Sequence, residues 1–128
     1  MHSEKSYPKD KKHRVFVYGT LKRGFGNWKW CLDNEDSNFI GEYVIPAAQG
    51  YRMVSLGAFP GVLQSEESHD IHGEIFEVTD NVLRDLDMLE GYPNFYDKTV
   101  IDDEGTIMYV LEENEYGDHD KVPSGIWS

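Results

Sequence analysis

Only one stretch of the chain carries a complete set of helix signals, and that scarcity limits the folds open to it. Thr79 or Asp80 can cap residues 81–90, Gly91 offers a left-handed stop, and Pro93 bars continuation. Around it lie short runs rich in β-branched and aromatic residues: 15–17, 39–45, 49–55, 62–63, 71–78, 96–101 and 106–111. Pro46-Ala47-Ala48 parts the second run from the third, which together suggest a meander, and residues 102–105 read as a hairpin turn. Residues 27–32, with Trp28, Trp30 and Leu32, suit either a short helix or an irregular cap over the core. A doubly wound parallel sheet needs helices between most of its strands. The pattern therefore predicts an α+β fold with a small mixed, mostly antiparallel sheet, open or closed.

At 128 residues the chain has the length of one domain, taken as residues 14–128. Residues 1–13 mix Lys, Asp, Glu, Ser and His without an apolar run, so they read as a mobile tail and not as a signal or anchor. Twelve basic against 24 acidic side chains give a formal charge of −12, which repels phosphate backbones and anionic lipid. No nucleic-acid partner and no membrane association are expected. Cys31 stands alone, which excludes an internal disulfide and fits a reducing compartment, the cytoplasm. Monomer is the default state. The acidic stretch 112–120 precedes a terminal Ile126-Trp127, a pair that should dock back onto the domain.

Two features carry candidate chemistry. Residues 14–26, R-V-F-V-Y-G-T-L-K-R-G-F-G, are an apolar strand that stops at a glycine and becomes a loop able to aim several N–H groups at one carboxylate or developing oxyanion. The glycine spacing matches neither a dinucleotide fingerprint nor a P-loop. The second feature is Glu90. Stepping about 100° per residue, Val82, Leu83, Leu86 and Leu89 form an apolar stripe, and Glu90 falls inside it while Arg84, Asp85 and Asp87 lie off it. Burial and the negative helix end should both raise its pKa, as suits a proton-transfer group.

The order of motifs resembles a known family. Tyr18-Gly19-Thr20-Leu21 with Gly24, Phe59-Pro60-Gly61, Gly73-Glu74-Ile75-Phe76-Glu77-Val78, Leu86-Asp87-Met88-Leu89-Glu90-Gly91-Tyr92-Pro93, Tyr96, Tyr109 and Ser124-Gly125-Ile126-Trp127 are similar to the gamma-glutamylcyclotransferase-like family, most of all its gamma-glutamylamine cyclotransferase branch. The resemblance covers residues 15–127. It implies a small mixed barrel with flanking helices and a cavity between the first loop and the acidic helix end. It also implies intramolecular aminolysis of a gamma-glutamyl amide, giving 5-oxoproline and an amine without metal or organic cofactor. Glu90 then matches the catalytic glutamate, Tyr18, Gly19, Thr20 and Leu21 the substrate-binding loop, and Tyr96 and Tyr109 aromatic positions near the cavity. Lys98 stands where many relatives place arginine, so a bidentate contact there should be lost.

Other readings remain beside this one. The same cavity suits a non-catalytic module that binds a gamma-glutamyl or other small anionic ligand. His69-x-x-His72 with Asp70 has loose spacing for a metal and straddles a loop and a strand, so no metal site is assigned. A glycoside hydrolase lacks a second acid on a matching element. The acidic surface would favour approach of a gamma-glutamyl amide whose leaving amine is cationic.

Overall fold

The structure is a computed structural model that describes residues 12–128. Met1 to Lys11, most of the expected tail, lie outside the described residues. Lys12 and His13 do not belong to a tail: they open β1 (Lys12–Val17) and pair with Thr79 and Val78.

The order continues with α1 (Gly26–Cys31), β2 (Ser37–Ile45), a 3-10 turn (Ala47–Gln49), β3 (Tyr51–Ser55), β4 (Pro60–Gln64), β5 (Ile71–Thr79), α2 (Asp80–Glu90), β6 (Asp97–Val100), β7 (Ile107–Val110), α3 (Glu113–Tyr116) and β8 (Asp120–Lys121). Five strands form one sheet in the order β2-β5-β1-β7-β6, and three form a second, β4-β3-β8. Among the described pairings only β1 with β7 is parallel. The α+β, mostly antiparallel reading holds. The barrel is incomplete: the ladders do not close, and the sheets are joined where Leu111 N donates to Val62 O at 2.9 Å. The meander is also corrected, since β2 pairs with β5 while β3 pairs with β4 and β8. Pro46 cannot donate to a ladder, and the 3-10 turn after it carries the chain from one sheet to the other.

Alternation along the central strands explains the layers. Val15, Val17, Phe76 and Val78 face one way and pack with Val82 and Leu86 of α2. Phe16, Ile75 and Ile71 face the other way and pack with Met53 and Val62 of the smaller sheet. A strand buried on both faces reads as a continuous apolar run, as β1 does. Full burial of each large side chain contributes about 1.5–3 kcal/mol. Gly73 lets β5 approach β1 closely: a Cβ there would strike the Val17 carbonyl and the Phe16 ring. Trp127 packs on the second core as expected, whereas Ile126 is exposed.

The acidic stretch is more structured than its composition suggests, forming α3 and β8. Tyr116 anchors it by meeting the Phe95 ring edge-on at 5.7 Å. His69 is likewise structural. Its Nε2 accepts from Met53 N at 3.1 Å, and its Nδ1 lies 3.0 Å from the Asp70 carbonyl.

Candidate active site

The first loop is fastened at several points. Tyr18 leaves β1 buried, its hydroxyl donating to the Tyr109 carbonyl at 2.8 Å and accepting from Val62 N at 3.2 Å. This pins the start of the loop to both sheets. Gly19 packs so tightly that a Cβ would lie 2.8 Å from Pro60 Cγ. Its carbonyl accepts from Lys22 N at 3.0 Å to close the turn. Thr20 is tied to α1 through Asn27 Nδ2, which donates to its Oγ1 at 2.7 Å, and through Trp28 N, which donates to its carbonyl at 3.1 Å. The N–H groups of Gly19, Thr20 and Leu21 find no acceptor among the described residues. From behind, buried Glu74 accepts from Arg23 N at 2.8 Å and Arg23 Nε at 3.4 Å. Lys22 Nζ donates to the Trp127 carbonyl at 2.7 Å.

Helix α2 delivers Glu90 to the other side of the same space. Thr79 caps it, its hydroxyl accepting from Val82 N, and Gly91 ends it at φ 66°. Val82 and Leu86 are buried, and Glu90, four residues after Leu86, projects from the same side and is partly buried. Leu89 departs from the expected stripe: at 43% exposure it forms the cavity rim. No donor reaches the Glu90 carboxylate among the described residues. Burial raises its pKa from the ordinary carboxylate range to about 7.

Loop and helix end enclose a cavity of about 470 Å³. That is the size of a small-molecule site. Tyr18, Thr20, Leu21, Glu90, Tyr96 and Tyr109 line it together, joined by Asn27, Phe59 and Phe95. Gly19 does not line it and serves the loop by its fit against Pro60. The tyrosine hydroxyls are already engaged. Tyr96 donates to the Pro60 carbonyl at 2.7 Å, and Tyr109 donates to Asp87 Oδ1 at 2.6 Å. Burial holds all three phenols well above their usual pKa, and Glu90 adds to the rise at each. The tyrosines therefore supply walls and fixed geometry, leaving Glu90 as the unpaired ionisable side chain of the cavity.

The same motifs that build this cavity extend to whole-chain similarity. The sequence profile of the family described as Gamma-glutamyl cyclotransferase, AIG2-like matches residues 15–128. The chain belongs to this family. The gamma-glutamylaminecyclotransferase of Rattus norvegicus is 33% identical over 126 residues, which cover 89% of this chain and 76% of that one. A Drosophila melanogaster relative is 40% identical over 110 residues, and the match takes in 80% of this chain but only 63% of that protein. The crystal structure of an AIG2-like protein from Mus musculus superposes with a TM-score of 0.71 at 26% identity, covering 91% of this chain and 94% of that one.

Within this member of the family, the sequence pattern did not single out Asp87. Placed off the apolar stripe, it is in fact partly buried, with Tyr109 donating to it and Lys98 Nζ at 3.0 and 3.1 Å from its two oxygens. Lys98 makes this contact through one nitrogen, its ammonium reaching both carboxylate oxygens where an arginine would present a two-nitrogen fork. The available signal was Asp87's spacing of three from Glu90, which puts both on adjoining helix faces. Asn27, Phe59 and Phe95 were also unassigned, since partners from α1 and two separate loops leave no local pattern. Among the described residues no helix is long and apolar enough to cross a membrane.

Proposed function

We propose that the chain releases 5-oxoproline from gamma-glutamyl amides, with Glu90 as the proton-transfer group and the residue 19–21 loop as the anion site. The observation that carries this reading is the unpaired, partly buried Glu90 carboxylate, raised to about 7, facing that loop across the cavity. A base with a pKa near the operating pH is ionised often enough to accept a proton and basic enough to remove one.

The substrate brings both reacting groups. Its alpha-ammonium gives a proton to Glu90, and the freed nitrogen lone pair attacks the side-chain amide carbon. The carbonyl π electrons move onto oxygen. Protonated Glu90 then returns the proton to the amide nitrogen, and the carbon–nitrogen bond breaks as the oxyanion collapses and the amine leaves. Glu90, again ionised, takes the second proton from the ring nitrogen to give the lactam and passes it to the departing amine, which leaves as its ammonium. Ring closure is already intramolecular in the free substrate, so the cavity contributes by holding that substrate folded with its reacting atoms aligned. The uncommitted N–H groups of Gly19, Thr20 and Leu21 suit either the alpha-carboxylate or the oxyanion. The net charge of −12 disfavours a nucleic-acid partner, and the lone Cys31 suits a reducing cytoplasm; a monomer is the default state.

The test is 5-oxoproline release from a panel of gamma-glutamyl amines and gamma-glutamyl peptides by the full chain. Product from one class and not the other identifies the leaving group. Absence of product with all of them, alongside measurable binding of 5-oxoproline, would replace this reading with a binding module.

A further inference from the structure

The polar cluster beside the cavity is not explained by substrate contact. Asp87 lies one helical turn before Glu90, and its carboxylate is not among the cavity walls. It holds two other elements to the end of α2: Lys98 from β6 and the Tyr109 hydroxyl from β7. Lys98 Nζ also sits 4.1 Å from the centre of the Tyr92 ring, just past the helix. The Asp87 carbonyl accepts from Tyr92 N at 2.9 Å. The turn that carries Glu90 is thereby clamped on its side-chain and main-chain sides. Because Tyr109 gives its proton to Asp87, it has none to give Glu90, although both line or adjoin the same cavity.

We propose that Asp87 is a positioning residue for Glu90: with Lys98 and Tyr109 it locks the last turn of α2, withholds the Tyr109 hydroxyl from the cavity, and keeps the flanking field neutral. This rests on the proton-transfer role assigned to Glu90 above. The groups that face Glu90 from the elements around it are Tyr18 at the end of β1, Cys31 on α1, Tyr96 after α2 and Tyr109 on β7, each of which feels its charge. All four are neutral at neutral pH. Asp85 of α2 also acts on Cys31 and is the same in every variant below; the charges of the clamp itself are those of Asp87 and Lys98, which offset one another when paired.

That balance makes a signed prediction. Asp87→Asn leaves the Lys98 ammonium uncompensated, so Glu90 should titrate about half a pH unit lower or more. Lys98→Met leaves the Asp87 carboxylate uncompensated and should shift Glu90 by about as much the other way. The double variant should return close to the native value. Tyr109→Phe keeps the charges and ring, and should leave the titration near native. With the turn loosened, kcat for 5-oxoproline release should fall about tenfold to a hundredfold in Asp87→Asn.

The experiment is carbon-13 NMR of the Glu90 carboxyl from pH 4 to 9 in the full chain and each variant, the resonance assigned by its disappearance in Glu90→Gln. It is read beside kcat/KM over the same range. Opposite shifts that cancel in the double variant establish the proposal. An unmoved Glu90 titration, shifts of one sign, or a loss of rate without a shift would overturn it and leave Asp87 a merely structural residue. If Asp87→Asn does not fold, the upward shift in Lys98→Met decides the matter alone. The NMR readout does not need turnover, so a chain that releases no 5-oxoproline would defeat the proposed function while the titrations still judge Asp87.

Discussion

Behind the first loop Glu74 is 8% exposed, with the Arg23 backbone and guanidinium both donating to it. In front of the loop Glu90 is partly buried with no donor among the described residues, and burial raises its pKa to about 7. The two side chains share a chemistry and flank the same short segment. What separates them is satisfaction: donors that compensate a buried carboxylate make it part of the scaffold, and their absence leaves it able to take up a proton. Glu74 ties down the loop on the side away from Glu90.

The sharpest way to break this contrast is Glu90→Gln, which should lower 5-oxoproline release about a hundredfold to ten-thousandfold in steady-state assays with the fold intact. Glu74→Ala should do the reverse. Removing an acceptor from the Arg23 N–H and guanidinium costs about 2 kcal/mol in urea unfolding, and activity should suffer mainly through a raised KM as the loop loosens. Smaller again is Gly19→Ala. Its Cβ would sit 2.8 Å from Pro60 Cγ, and relief of that overlap should cost about 1 kcal/mol and a several-fold rise in KM.

Stability against pH sharpens the same comparison by sign. Glu90's folded pKa of about 7 exceeds the ordinary value of 4.5, so the folded chain binds a proton more tightly than the unfolded one. That contribution is complete below 4.5 and is lost as the pH rises to 7. Thermal melts of Glu90→Gln, which cannot ionise there, should match the native chain at low pH and gain a few degrees on it by the end of this window.

Much of this site was legible because its signals are local. The Thr79 cap, the Gly91 stop and the spacing of Val82, Leu86 and Glu90 are properties of one helix, and the structure repeats them. The strand-to-loop change at Gly19 was equally readable. The sheet exchange between β2 and β3 was not, because two short apolar strands on either side of a proline carry no record of their partners. Asp87 escaped for a related reason. A single stripe describes a helix packed on one surface, whereas the end of α2 also meets β6 and β7, and only tertiary structure reveals a second contact face. The acidic stretch around α3 was opaque because its order depends on one aromatic anchor, Tyr116.

The pH dependence of kcat/KM for 5-oxoproline release by the native chain tests the central claim most directly. A rising limb with one ionisation near pH 7, the value to which burial drives Glu90, is the predicted result. A limb at an ordinary carboxylate pKa, or a rate indifferent to pH through neutrality, would contradict it.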